Sequence, residues 1–337
     1  MSKASRREAR ERLRQERLKE QKRANRNKML LVLGAVGLAV ILFVGLGITV
    51  INLQQGSSND EQWSGTLPQQ TLQQDGSVVL AEESAQAPVV EVYADYQCPH
   101  CGRFETENGD TLKQLAADGE AIVHYRPVSI FFSQQGPTAV NSLRAGAVAR
   151  AAADYGKFVE YNDKLFDHQP AEGQEGYSPD ELKTWGEEVG IEDAAFAERV
   201  DAENEIVQRF VEDYFPQLNQ QARDQLSQDE LGAMTIPELM EWGADRGIDF
   251  SFLEGTYVNE VLDATWAVNE RYSSGENAFS GTPAVYINGQ LQTGNFYDPQ
   301  VLTSAVQSAE PGSVDTQPAA GDDSLQPSGD ASPAAEE

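Results

Sequence analysis

The chain of 337 residues holds two cysteines and three histidines, and it has no lysine or arginine after Arg271. Two cysteines cannot build a disulfide framework of the kind that holds small secreted folds together. They cannot complete a structural zinc site either. Such a site needs four ligands, and His100, His124 and His168 are scattered along the chain. No metal and no cofactor is therefore expected, and His124 and His168 are read as structural. In a chain of net charge −29 the missing basic residues argue against nucleic acid as a partner, because affinity for a phosphate backbone comes from neutralising it with Lys and Arg.

The basic residues that exist are concentrated at one end. Residues 1–28 carry twelve Lys or Arg against four Glu, in a chain whose net charge is −29. Directly after them, Met29 to Ile51 form 23 uncharged residues, "MLLVLGAVGLAVILFVGLGITVI". As a helix rising about 1.5 Å per residue, this run spans roughly 35 Å, enough for a hydrocarbon core of about 30 Å. A cleaved signal peptide is the rival reading, but its apolar region is usually only about 7–15 residues long. One uncleaved transmembrane helix over residues 29–52 is expected. The Arg-rich arm then lies in the cytoplasm and everything after Asn52 outside, on a single-pass anchor.

Composition divides the remainder. Residues 53–75, rich in Gln, Ser and Gly, read as a flexible linker. "SVVL" at 77–80, "PVVEVYA" at 88–94 and "AIVHYRPV" at 121–128 have the β-branched character of strands. Between the last two, Phe104, Leu112 and Leu115 recur at helical spacing from Pro99 to Asp118. Residues 137–274 read as helices throughout. Strand character returns in "TPAVYINGQLQTG", where Asn288-Gly289 signals a hairpin. A last helix follows Asp298-Pro299, and residues 309–337, acidic and without an aromatic, read as a disordered tail. "ELKTWGEEVGI" (181–191) and "ELMEWGADRGI" (238–248) echo each other, which suggests a short duplicated helical unit with Trp185 and Trp242 as core anchors.

Both cysteines lie in "VEVYADYQCPHCGRFE", residues 91–106. As a staple the pair is weak, since closing a ring of about four residues yields only roughly 2 kcal/mol. As a redox couple it makes chemical sense. Cys98 falls at a helix N-terminus, where unpaired N–H groups and the positive end of the helix dipole favour a thiolate. A stabilised thiolate makes the disulfide a stronger oxidant. A client thiolate would attack the Cys98 sulfur, and the client's second thiol would resolve the mixed disulfide. Cys101, one turn into the helix, should be the less exposed partner.

Strand, then "YADYQCPHCGRFE", then a long helical segment, then "GTPAVYING": this order resembles the DsbA-like thiol-disulfide oxidoreductases, in the membrane-anchored form found in actinobacteria. The resemblance covers about residues 76–308. It implies an α/β chain with a thioredoxin fold carrying an inserted, enlarged helical domain (about 137–274), preceded by the transmembrane helix. It implies Cys98 as the attacked and attacking sulfur, Cys101 as its buried partner, and Pro99 and His100 as the dipeptide that sets redox poise. Pro283 matches the family's cis-proline facing the disulfide, with Thr282 offering backbone groups to a substrate. Two departures stand out. The buried acid that many relatives keep six residues before the first cysteine is Val92 here, with Glu91 and Asp95 nearby. The helical insert is also longer than usual around Val207 to Gly255.

The function expected on these grounds is extracytoplasmic donation of disulfides to unfolded secreted or cell-surface polypeptides with reduced cysteines, with re-oxidation by a quinone-linked membrane partner. A disulfide isomerase or reductase, or a non-catalytic peptide-binding or scaffold module on the same fold, are the alternatives.

Overall fold

The computed structural model describes residues 63–315. The basic arm, the apolar run expected to span a membrane and the tail beyond residue 315 lie outside the described residues. Among the described residues no helix is long and apolar enough to cross a membrane.

The molecule is organised around a six-stranded sheet in the order β1-β2-β4-β3-β5-β6. The strands are β1 (Gln69–Leu72), β2 (Val78–Ala81), β3 (Val89–Ala94), β4 (Ile122–Pro127), β5 (Ala284–Ile287) and β6 (Gln290–Leu291). Only β3 and β4 run parallel, and the connection between them is helix α1 (Pro99–Ala117). A parallel pair needs such a crossover, whereas antiparallel neighbours need only turns. Period-2 alternation sorts the faces of β3. Val90 and Val92 join Phe104, Leu112 and Leu115 of α1 in one core. Tyr93 packs on the other face with Val268, Tyr272 and Tyr286. With helices on both sides, β3 is buried along nearly its whole length.

Eight helices fill the interval between β4 and β5: α2 (Pro137–Ala153), α3 (Phe158–Asp167), α4 (Pro179–Glu188), α5 (Ala194–Gln208), α6 (Phe215–Gln225), α7 (Gln228–Ala233), α8 (Ile236–Ala244) and α9 (Tyr257–Arg271). A widened, π-type turn at Arg209–Tyr214 joins α5 to α6, just before Pro216, which has no N–H to give to a regular ladder. Helix α2 is the shared wall of the insert. Ala145, Val148 and Ala152 face the sheet core. Ala139, Leu143 and Ala147 face a second core built with Phe210, Phe215, Leu218, Leu239, Val258 and Leu262.

The sequence echo has a local explanation. Both copies open with a capping box, Ser178 with Glu181 and Thr235 with Glu238. Both bury the following leucine, Leu182 or Leu239. Both end on a glycine at positive φ, Gly190 at 90° and Gly247 at 83°, where a side chain would be strained. The isoleucine that follows returns its N–H to Gly186 O at 2.8 Å or Gly243 O at 3.0 Å and is buried. Shared start and stop chemistry thus accounts for the likeness, while the two helices serve different cores. Trp185 is buried against Tyr177 and His168. Trp242 is only partly buried, with the Arg246 guanidinium 4.2 Å above its ring.

The ordered domain extends past both expected boundaries. Strand β1 lies inside the stretch read as a linker, pairing with β2. The Gln70 side chain accepts from Val159 N at 2.8 Å and donates to Glu160 at 2.6 Å. At the other end, Gly312 N donates to Ala87 O at 3.0 Å, and Asp315 meets Arg271 at 3.4 Å. The hairpin turn falls at Asn288-Gly289. The last helix, α10 (Pro299–Gln307), is capped by Asp298.

Candidate active site

Strand β3 ends at Ala94 and the chain turns through Asp95, Tyr96 and Gln97 into Cys98, whose N–H donates to Asp95 O at 3.0 Å. Cys98 is the N-cap of α1, extended at φ −79° and ψ 117°, and Pro99 occupies the first turn. No side chain caps this helix end, so its free N–H groups are left to the Cys98 sulfur. Cys98 and Cys101 are both free thiols, 4% and 1% exposed, while Pro99 and His100 are exposed. His124 and His168 lie elsewhere. His124 is buried with Nε2 2.6 Å from Ser77 Oγ, and His168 contacts Lys164 O.

Strand β5 pairs antiparallel with β3, Tyr93 opposite Ala284, and this register brings the preceding residues, Thr282 and Pro283, alongside the cysteine turn. The Thr282–Pro283 peptide is cis. The Cys98 thiol donates to Thr282 O at 3.3 Å. The sequence separation across this contact is 184 residues.

The two sulfurs differ slightly in exposure and strongly in proton affinity. The Cys101 thiol beside it, the Thr282 side chain and the amides of Cys101 and His100 together outweigh burial and lower Cys98 to about 6. Cys101 moves the other way. Burial, then the Cys98 sulfur, push it well above the ordinary thiol range. A fall from 9.0 to about 6 favours the Cys98 thiolate by about 4 kcal/mol, an upper figure.

Asp95 is the third titratable group of the site. It is fully buried, and its N–H points at Cys101 Sγ from 3.4 Å. Its carboxylate accepts from Gln97 N, Ile130 N and Ser142 Oγ, each at 2.8 Å. Burial still dominates and raises it to about 7, with the Cys98 sulfur adding to the rise. Val92 is a core residue of the sheet. Glu91, on the opposite face, is tied to Arg126 at 3.1 Å and to Tyr272 at 2.9 Å. Of the three positions around the expected acid, only Asp95 stands beside the sulfurs. Tyr297, on the loop before α10, interacts electrostatically with both sulfurs. Burial first, then Cys101, raise its hydroxyl, and the Arg103 guanidinium lies 4.6 Å over its ring.

A six-stranded sheet with a single parallel pair, joined by a crossover helix that opens on a dithiol, makes up a thioredoxin fold. Residues 74–227 match the thioredoxin family model. The chain thus carries a thioredoxin-type domain, and the model's span includes both cysteines but stops short of Thr282. No curated protein matches the chain. Among solved structures, it is similar to MdbA, a thiol-disulfide oxidoreductase from Corynebacterium diphtheriae. That match has 17% identity, covers 74% of this chain and 100% of the other, and has a TM-score of 0.45. It is also similar to the reduced form of the disulfide bond oxidoreductase DsbG from Mycobacterium tuberculosis, with 21% identity, 66% and 80% coverage and a TM-score of 0.42. MdbA from Actinomyces oris matches at 16% identity, covering 70% of this chain and 89% of the other, with a TM-score of 0.44.

The thioredoxin-type geometry brings Cys98, Cys101 and Thr282 together and leaves Pro99 and His100 at the surface beside them. Sequence reasoning gave no role to Asp95, Tyr297 or the insert residues that bind the cysteine turn. Asp95 is signalled in the sequence only as a lone acid after an apolar strand.

Proposed function

We propose that the chain is a protein thiol-disulfide oxidoreductase that donates its Cys98–Cys101 disulfide to clients outside the cytoplasm. The observation that carries this reading is the split proton affinity of two sulfurs on one helix turn, Cys98 lowered to about 6 and Cys101 raised. A client thiolate attacks Cys98 Sγ, the Cys98–Cys101 bond breaks, and Cys101 leaves carrying the electron pair. Because Cys101 holds its proton tightly, it needs a donor at once, and Asp95 is the buried acid beside it. The client's second thiolate then attacks its own sulfur in the mixed disulfide and releases Cys98 as a stable thiolate. Two client thiols become one disulfide, and the pair of electrons rests on Cys98 and Cys101.

Thr282 O, facing the Cys98 sulfur, supports a role for the Thr282–Pro283 segment in holding an extended client beside it. The basic arm and apolar run at residues 1–52 support a single-pass anchor with the domain on the outer side, acting on secreted polypeptides. A quinone-linked membrane partner would take the electrons away. Titrating the reduced chain against glutathione tests the direction. A strong oxidant lies near about −120 mV and a reductant near about −270 mV. A value at the reducing end would replace this reading with a reductase. Oxidation of a reduced peptide at equal rates by the parent and by Cys98→Ser, or by neither, would leave a binding module without redox chemistry.

A further inference from the structure

The turn that presents Cys98 is held from outside by the helical insert. Gln97 Nε2 donates to Pro170 O at 3.0 Å, and Asn141 Nδ2 donates to Gln97 Oε1 at 2.7 Å. Tyr177 donates its hydroxyl to Tyr96 O at 3.0 Å. One side chain reaches the cysteine itself. Gln169 Nε2 donates to Tyr96 O at 2.8 Å and to Cys98 O at 2.9 Å. The two N–H groups of a single planar amide thus fix two carbonyls, one on each side of Gln97.

Cys98 O also accepts the first bonds of α1, from Cys101 N at 2.9 Å and Gly102 N at 3.2 Å. The orientation of this carbonyl sets where the rest of residue 98 points. Within α1 only these two backbone bonds hold the carbonyl, and no side-chain cap assists them. The Gln169 amide adds a third donor from a distant segment.

Gly102 is the matching observation. Glycine inside a helix is unfavourable relative to alanine, yet it sits buried in the first turns of α1. A Cβ there would collide with the Gln169 carboxamide oxygen and press on its carbon. We propose that Gln169 is a positioning residue that holds the Cys98 backbone so that its sulfur faces the helix amides, and that Gly102 is the gap in α1 that admits it. This inference rests on the oxidoreductase reading for its purpose, but its test does not depend on client turnover.

The test is the pH dependence of iodoacetamide alkylation of the full, reduced chain. Its only cysteines are Cys98 and Cys101, and Cys101 titrates well above Cys98. The other titratable groups facing Cys98, Asp95 and Tyr297, stay in place in every variant. Gln169→Ala should weaken the Cys98 acid constant by roughly three- to tenfold, the range of one lost hydrogen-bonded constraint. Gly102→Ala should do the same without lowering the unfolding temperature, because alanine favours the helix while displacing Gln169. The double variant should be no worse than either single one, since both remove one interaction. Tyr177→Phe, which cuts a bond to Tyr96 O and leaves Cys98 O untouched, should not move the midpoint. An unchanged midpoint in Gln169→Ala and Gly102→Ala overturns the proposal. So does an equal shift in Tyr177→Phe, which would make the effect a general loosening. If the midpoints move as expected while the parent oxidises no reduced peptide, the positioning role stands and the oxidase reading fails.

Discussion

At Asp95, burial and hydrogen bonding oppose each other, and burial wins. Three donors at 2.8 Å stabilise the carboxylate, yet the group is raised from 3.8 to about 7. For an acid whose folded value lies above its unfolded one, the native state favours the protonated form. That contribution is complete below about pH 4 and is lost as the pH rises through about 7. Its size is at most about 4 kcal/mol. The stability of the parent should therefore decline between pH 4 and pH 8 relative to Asp95→Asn, in denaturant unfolding of the reduced forms. Parallel curves for the two would show that Asp95 does not hold this proton. The same substitution should slow peptide oxidation, because Cys101 loses its nearby proton donor. Cys101→Ala should have a distinct outcome, accumulation of mixed disulfides through Cys98 that persist on non-reducing gels. If no adducts form, attack at Cys98 is ruled out. The two cysteines were legible in the sequence because their chemistry is local. Asp95 was not, because its state depends on Ile130 and Ser142, 35 and 47 residues away. Gln169 lies 71 residues from the carbonyl it binds.

Helices and strands were legible where their signals lie within the element. The Asn288-Gly289 turn, the Asp298 cap and the strand runs at β2, β3 and β4 are of that kind. Strand β1 was hidden in Gln-rich text because an edge strand is stabilised by backbone pairing with β2 and needs little apolar side chain. The start of α9 shows the same dependence on a distant group. Its first N–H groups, from Tyr257 and Val258, both donate to the Glu203 carboxylate of α5 at 3.0 Å. Glu203 is buried, and Arg199 closes the arrangement at 3.1 Å. A carboxylate at a helix N-terminus is favourable on both hydrogen-bond and dipole grounds. Glu203→Ala should cost about 1–3 kcal/mol, since it leaves one buried and one half-buried donor without a partner. Urea unfolding measures it, and a change below about 0.5 kcal/mol, the range of ordinary surface substitutions, would mean that water replaces the carboxylate. Because α9 covers the Tyr93 face of the sheet, early exchange of the α9 amides in that variant would show the same loss locally.

For the whole molecule, the redox state of one helix turn should decide stability, with opposite outcomes at low and high pH. The oxidised form gains roughly 2 kcal/mol from closing a ring of about four residues. The reduced form gains from the Cys98 thiolate, up to about 4 kcal/mol when fully expressed. Cys98 has a folded value of about 6, below the ordinary 9.0 of a free thiol. The contribution of such a depressed group is complete above the unfolded value and is lost as the pH falls through the folded one. Near pH 5 only the ring term remains, and the oxidised protein should be the more stable by roughly 2 kcal/mol. Near pH 9 the thiolate outweighs it, and the reduced protein should be the more stable by a similar margin, at most about 2 kcal/mol. The two unfolding midpoints should therefore cross at about pH 7 to 9. A disulfide that destabilises its own protein in this way is one that the fold favours giving away. Denaturant midpoints of both redox forms across that pH range measure the crossing. An oxidised form that stays more stable throughout would mean that the thiolate is not held strongly enough to drive donation.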